Sequence, residues 1–181
     1  MAMKLEDFKR LSKRSQKDTV GYDLLTASFS SPDGPVSVQV WDLDIKIGRA
    51  FEYCSDAQVA LILFDRNASG TPESTTGYVK ALDGLSAVDL PKFVVVAGKS
   101  PLPEQEKSEL LLDLQGEKNV KVVTSRLDKR DEIEKILRVA VLTIVKSPTK
   151  KEEVEKGKEQ STSFKVIVLG DESRLFWNQS K

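Results

Sequence analysis

The sequence predicts an α/β fold on a doubly wound, mostly parallel sheet, and three observations carry that expectation. The runs VALILFD (59–65), KFVVVAG (92–98) and VKVVTS (120–125) are apolar, β-branched and of strand length. They lack the alternation of a half-exposed strand and so read as strands buried on both faces. Helical patterns lie between and after them, and strands alternating with helices indicate parallel crossover units. Finally, 181 residues suit a single domain with one good core, and are too few for two full-sized domains.

At the start, LEDFKRLSKR sets Leu5, Phe8 and Leu11 at spacing three, which predicts an amphipathic helix over about residues 4–14. YDLLTASFSSPDGPVSVQVWD (22–42) alternates and turns at Pro32, Asp33 and Gly34, predicting a β-hairpin. Helices are expected over 72–85, over PEQEKSELLLDLQ (103–115) and over DKRDEIEKILRVAVLTIV (128–145). In the last of these, Ile133, Ile136, Leu137, Ala140 and Val141 form an apolar stripe. KSPTKKEEVEKGKEQSTS (146–163) is rich in Lys and Glu with almost no apolar content, and reads as a solvated, flexible linker. The final apolar run, FKVIVLG (164–170), follows it as a sixth strand.

Composition narrows the function classes. Lys plus Arg and Asp plus Glu are both 28, a formal net charge of zero that predicts no nucleic-acid partner and no general attraction to anionic lipid. Cys54 is the only cysteine and histidine is absent, which excludes the usual zinc constellations and Ser-His-Asp triads from this chain. MAMKLEDFKRL has no apolar signal-peptide core and no apolar stretch approaches 18 residues, so no integral membrane span and a reducing, cytoplasmic setting are expected.

These segments, taken together, resemble the Ras/Rab superfamily of small GTPases. TVGYDLLTASFSSPDGPVSVQVWD (19–42) is similar to the family's switch I, second and third strands, and the Trp-Asp that opens switch II. CSDAQVALILFDRN (54–67) resembles the fourth strand. LPKFVVVAGKSPL (90–102) stands where the family has its fifth strand and Asn-Lys-x-Asp motif, and VKVVTSRLD (120–128) where it has Ser-Ala-Lys. The helix at 129–146 matches the family's last one. The family's first strand and phosphate loop are missing in front, and FKVIVLGDES (164–173) resembles them.

The resemblance therefore implies a circularly permuted small-GTPase-like domain over 1–181. Its six-stranded sheet would carry helices on both faces, with the family's central first strand C-terminal. Residues 1–146 would run from the family's first helix, supplied by 4–14, to its last, and 147–163 would form the linker. The competing expectation is that 164–181 begin a second, truncated domain.

A phosphate loop needs G-x-x-x-x-G-K-S/T: glycines expose backbone N–H groups to the phosphates, the lysine reaches the outer phosphates, and the hydroxyl binds Mg²⁺. Here Gly170 is followed by Asp171, Glu172, Ser173 and Arg174, and then Leu175, Phe176 and Trp177 stand at the G-K-S/T positions. Thr19 and Asp42 keep two positions that face the metal in the family. After Trp41-Asp42, however, LDIKIGRAF lacks the glutamine that orients the attacking water. Gly98 and Pro101 replace the base-reading Asn and Asp around Lys99, and Arg126 and Leu127 follow Ser125 in place of Ala-Lys.

Phosphate clamp, hydrolytic glutamine and base reader are thus lost together. Burying a triphosphate without them costs more than the remaining groups return. Two functional readings follow from the resemblance. The first is a nucleotide-free, non-catalytic protein-interaction module in vesicle trafficking or signalling, with protein partners and neither cofactor nor metal. Leu24, Trp41, Tyr53, Phe176 and Trp177 are its candidate contact residues. The second is a divergent switch that binds GTP or GDP with Mg²⁺, carried by Thr19, Asp42, Lys99, Ser125 and Gly170. Typical Rabs are prenylated on C-terminal cysteines; the ending NQSK predicts no such lipid anchor.

Overall fold

The computed structural model describes residues 4–10, 22–31, 34–43, 53–54, 56–65, 72–85, 90–97, 103–126, 129–146 and 162–170. In chain order the elements are β1 (Lys4–Arg10), β2 (Tyr22–Ser31), β3 (Gly34–Leu43), β4 (Val59–Asp65), α1 (Pro72–Leu85), β5 (Lys92–Ala97), α2 (Glu104–Asp113), β6 (Val120–Ser125), α3 (Arg130–Lys146) and β7 (Thr162–Leu169). One mixed sheet of seven strands has the order β1-β2-β3-β7-β4-β5-β6. β1, β2 and β3 pair antiparallel, while β3, β7, β4, β5 and β6 pair parallel.

β7 is therefore central although it comes last in sequence. It pairs with β3 from Val36↔Thr162 to Asp42↔Val168, and with β4 from Val59↔Val166 to Ile62↔Leu169. Its pleat feeds two cores. Val166 and Val168 join β2, β3, β4 and β5 side chains and the α3 stripe Ile133, Ile136, Leu137, Ala140 and Val141. Ile167 and Leu169 join the opposite core, where Val79 and Leu82 of α1 and Leu110 and Leu114 of α2 pack. Helices thus cover both faces, and Val166 through Leu169 are all fully buried.

Two expectations are corrected. Residues 4–10 form an edge strand and not the first turns of a helix, so the sheet has seven strands where six were expected. The spacing-three signal has a local cause. The register shifts between Leu5 and Asp7, so that Leu5 stands opposite Phe29 and Phe8 opposite Ala27, register positions that share one face of the sheet. A single extra residue in a strand makes i and i+3 equivalent, as a helix does. The second correction concerns VKVVTS: β6 is the other edge of the sheet, and only its last residue, Ser125, is buried.

Candidate functional site

In open sheets with parallel strands, ligands bind beyond the carboxyl ends of the strands. Here that rim is formed by Asp42 and Leu43 of β3, Gly170 after β7, the end of β4, Ala97 of β5 and Ser125 of β6. Asp42 is fully buried beside Val168, and Ser125 pairs with Ala97. The Ser125 hydroxyl is buried with no hydrogen-bond partner among the described residues. Asp42, Gly170 and Ser125 thus lie on one rim. Thr19, Lys99, Asp171, Glu172, Ser173, Arg174, Phe176 and Trp177 lie outside the described residues.

Gly170 is held against β4. A Cβ on it would stand 2.6 Å from the Leu63 carbonyl oxygen and 3.0 Å from the Leu63 Cβ. Leu63 is itself paired with Val95, so its backbone has no room to retreat. Close approach of backbones explains why a glycine ends this strand.

On β2, β3 and the segment that precedes β4, three of the expected contact residues come together. Leu24 stands opposite Trp41 in the β2–β3 ladder, and the Trp41 ring stacks on Tyr53 with centroids 6.0 Å apart and planes inclined by 24°. Trp41 is half-buried against the α1–α2 core, whereas Tyr53 is 37% exposed. The Trp41 indole N–H donates to Gln39 Oε1 at 3.3 Å.

Lys165 completes this cluster, and its role was not anticipated. Its Nζ lies 4.5 Å from the Trp41 ring centroid and pairs with the Asp56 carboxylate. Its main-chain N–H donates to Gln58 Oε1 at 2.6 Å, and its carbonyl accepts from the Gln58 N–H at 3.0 Å. Gln58 Nε2 donates in turn to the Asp56 carbonyl at 2.8 Å. The Gln58 side chain thereby extends the β4–β7 ladder by one rung. The available signal was a lone lysine interrupting the apolar run FKVIVLG.

Lys92 gives the same signal at the start of KFVVVA. It is buried, and its Nζ donates to the carbonyls of Leu90 (3.1 Å) and Lys118 (3.0 Å) while pairing with Asp83 at 2.6 Å. All three of its N–H bonds are used, so it is a structural clamp. It opens β5 and so lies at the opposite end of the parallel strands from Gly170.

Cys54 is buried in the α1–α2 core. Burial pushes its thiol up to about 11, with Lys165 opposing and Asp56 reinforcing the rise, so the sulfur stays protonated and unreactive near neutral pH. Among the described residues no group of three or more His, Cys, Asp or Glu side chains is placed to hold a metal ion. Also among the described residues, no helix is long and apolar enough to cross a membrane. No protein-family model matches the chain, and no curated protein matches it.

Proposed function

We propose that this chain is a circularly permuted, small-GTPase-like protein that has given up nucleotide chemistry and acts as a protein-interaction module in vesicle trafficking or signalling. One observation supports this above others. The last strand in sequence, β7, lies between β3 and β4, the position that the resemblance assigns to the family's first strand. A strand beginning a separate domain would have no reason to complete this sheet. The motif losses at Phe176, Trp177, Gly98 and Pro101 supply the second half of the reading, because a triphosphate there meets apolar groups in place of a clamp. The half-exposed Leu24, Trp41 and Tyr53 cluster supplies the contact surface in this reading.

The test is a titration of purified protein with fluorescent GDP and GTP analogues, with and without Mg²⁺. The expected result is no Mg²⁺-dependent binding tighter than micromolar. Mg²⁺-dependent affinity tighter than that would refute the nucleotide-free reading in favour of the divergent switch. Tyr53→Ala, at an exposed position, is expected to weaken capture of specific partners while leaving the unfolding midpoint within experimental error.

A further inference from the structure

We infer that the open edge of β6 is a docking site for an extended segment of another protein, one that alternates apolar and acidic residues and pairs with β6 as an added strand. β6 ends the sheet, and among the described residues nothing pairs with its outer side. The Lys92 N–H donates to the Asn119 carbonyl at 2.8 Å, and Lys92 stands in register with Val120. In a parallel ladder this phase turns the backbone groups of Lys121, Val123 and Ser125 toward β5. The N–H and C=O groups of Val120, Val122 and Thr124 then face outward, a row of donors and acceptors that fits a further strand.

The two edges of the sheet differ in how they meet such a strand. β1 carries a bulge between Leu5 and Asp7, and its sequence KLEDFKR is mostly charged, features that discourage pairing. β6 runs in unbroken register with β5 from Val120 to Ser125, without proline or glycine. Its one charged residue does not guard the edge, because Lys121 Nζ lies back over the Phe93 ring of β5, 5.8 Å from the centroid.

The pleat sets what the added strand must carry. Val120 and Val122 lie half-buried on the α2 face, and Leu111 of α2 is 49% exposed. Leu111 follows the buried Leu110 by about 100° of helix rotation. In a right-handed β5–α2–β6 crossover that flank lies away from α1 and over the open side of β6. Residues paired beside Val120 and Val122 therefore meet an apolar ledge, while the intervening ones fall on the α3 face with Lys121. An acid is favoured there. Residues 117–129 hold Lys118, Lys121, Arg126 and Lys129 against Glu117 and Asp128, a net charge of +2 in a chain whose net charge is zero. The same cations disfavour a second copy, since antiparallel pairing of two β6 strands brings Lys118 of each toward Arg126 of the other. β7, β4 and β5 separate this edge from Trp41 of β3, so the site is distinct from the aromatic surface and independent of nucleotide.

Fluorescence anisotropy tests the inference with the full chain and a labelled, end-capped peptide of alternating Val and Glu. Saturable binding is expected, and a peptide with the same residues in two blocks should bind about tenfold more weakly, because its faces no longer match the pleat. Methyl groups on the peptide nitrogens give the decisive comparison, since they leave the protein untouched. N-methylation of one alternate set of residues should abolish binding and that of the other set should spare it, because only one set donates to β6. Lys121→Glu should weaken binding of the Val/Glu peptide about fivefold and strengthen that of a Val/Lys peptide, a reversal that a misfolded variant cannot produce. No saturable binding up to about 1 mM peptide, equal effects of the two methylation sets, or indifference to Lys121→Glu would overturn the inference.

Discussion

Ile167→Ala measures how far β7 belongs to the core of this sheet. Ile167 is fully buried in the α1–α2 core, between Trp41 of β3 and Ala60 of β4 in register. Deleting three carbons at about 0.8 kcal/mol per buried methylene removes roughly 2.4 kcal/mol of transfer free energy. A cavity term adds to this, giving about 2–5 kcal/mol for such truncations. β7 is hydrogen-bonded on both sides and cannot sag into the hole, which places the expected loss at about 3–4 kcal/mol, in the upper part of that range. In a urea titration with a slope of about 2 kcal/mol/M, the midpoint falls by roughly 1.5–2 M. Far-UV circular dichroism is the appropriate signal, because Trp41 neighbours the site and its fluorescence reports local change. A midpoint shift below about 0.3 M would mean that 162–169 hang outside the sheet as the opening of another domain. Deleting residues 162–181 is the limiting case. Four fully buried apolar side chains at about 1.5–3 kcal/mol each amount to roughly 6–12 kcal/mol. That is as large as the typical total stability of a domain, about 5–15 kcal/mol, so no cooperative transition should remain.

Three further outcomes are expected. Lys92→Met keeps the side-chain volume but leaves the Leu90 and Lys118 carbonyls without their donor, and at about 1–3 kcal/mol per buried group should cost roughly 2–6 kcal/mol in chemical denaturation; a neutral result would show that the clamp is dispensable. Gly170→Ala should destabilise by about 1–3 kcal/mol through its clash with Leu63. Gly77→Ala in α1, where a Cβ meets nothing within 4 Å, should instead stabilise by about 0.5–1 kcal/mol, and equal effects at the two glycines would refute the close-approach argument. For Cys54, the folded thiol titrates near 11 against an ordinary 9.0, so the folded chain keeps a proton that the unfolded chain releases. Its contribution is complete below pH 9 and is lost as pH rises toward 11, so the stability of the native protein relative to Cys54→Ala should decline across that window. At pH 8 a thiol reagent should label the urea-unfolded chain and leave the folded one nearly untouched.

Much of the architecture was legible in local sequence. β4, β5, β6 and all three helices fall within a residue or two of the patterns that announce them, because buried parallel strands need continuous apolar runs and covering helices need a stripe. The N-terminal segment misled for an equally physical reason: a bulge gives a strand the helical spacing of three. Part of the rim was also legible, since Asp42, Gly170 and Ser125 are brought to one edge of the sheet. Lys165 and Lys92 were not, because an isolated lysine in an apolar run does not name its partners.

By itself the sequence determined the three helices, the strands after residue 20, the two-faced burial of β4 and β5 and the absence of histidine chemistry, since these depend on residue type and period alone. β7 owes its central place, expected from the resemblance and from no local pattern, to tertiary structure. Its apolar side chains suit any central slot, and the order of strands is chosen by contacts across more than a hundred residues: Gln58 to Lys165, Asp56 to Lys165, and Gly170 against Leu63. No local period encodes such contacts. They turn the last strand of the sequence into the middle strand of the sheet.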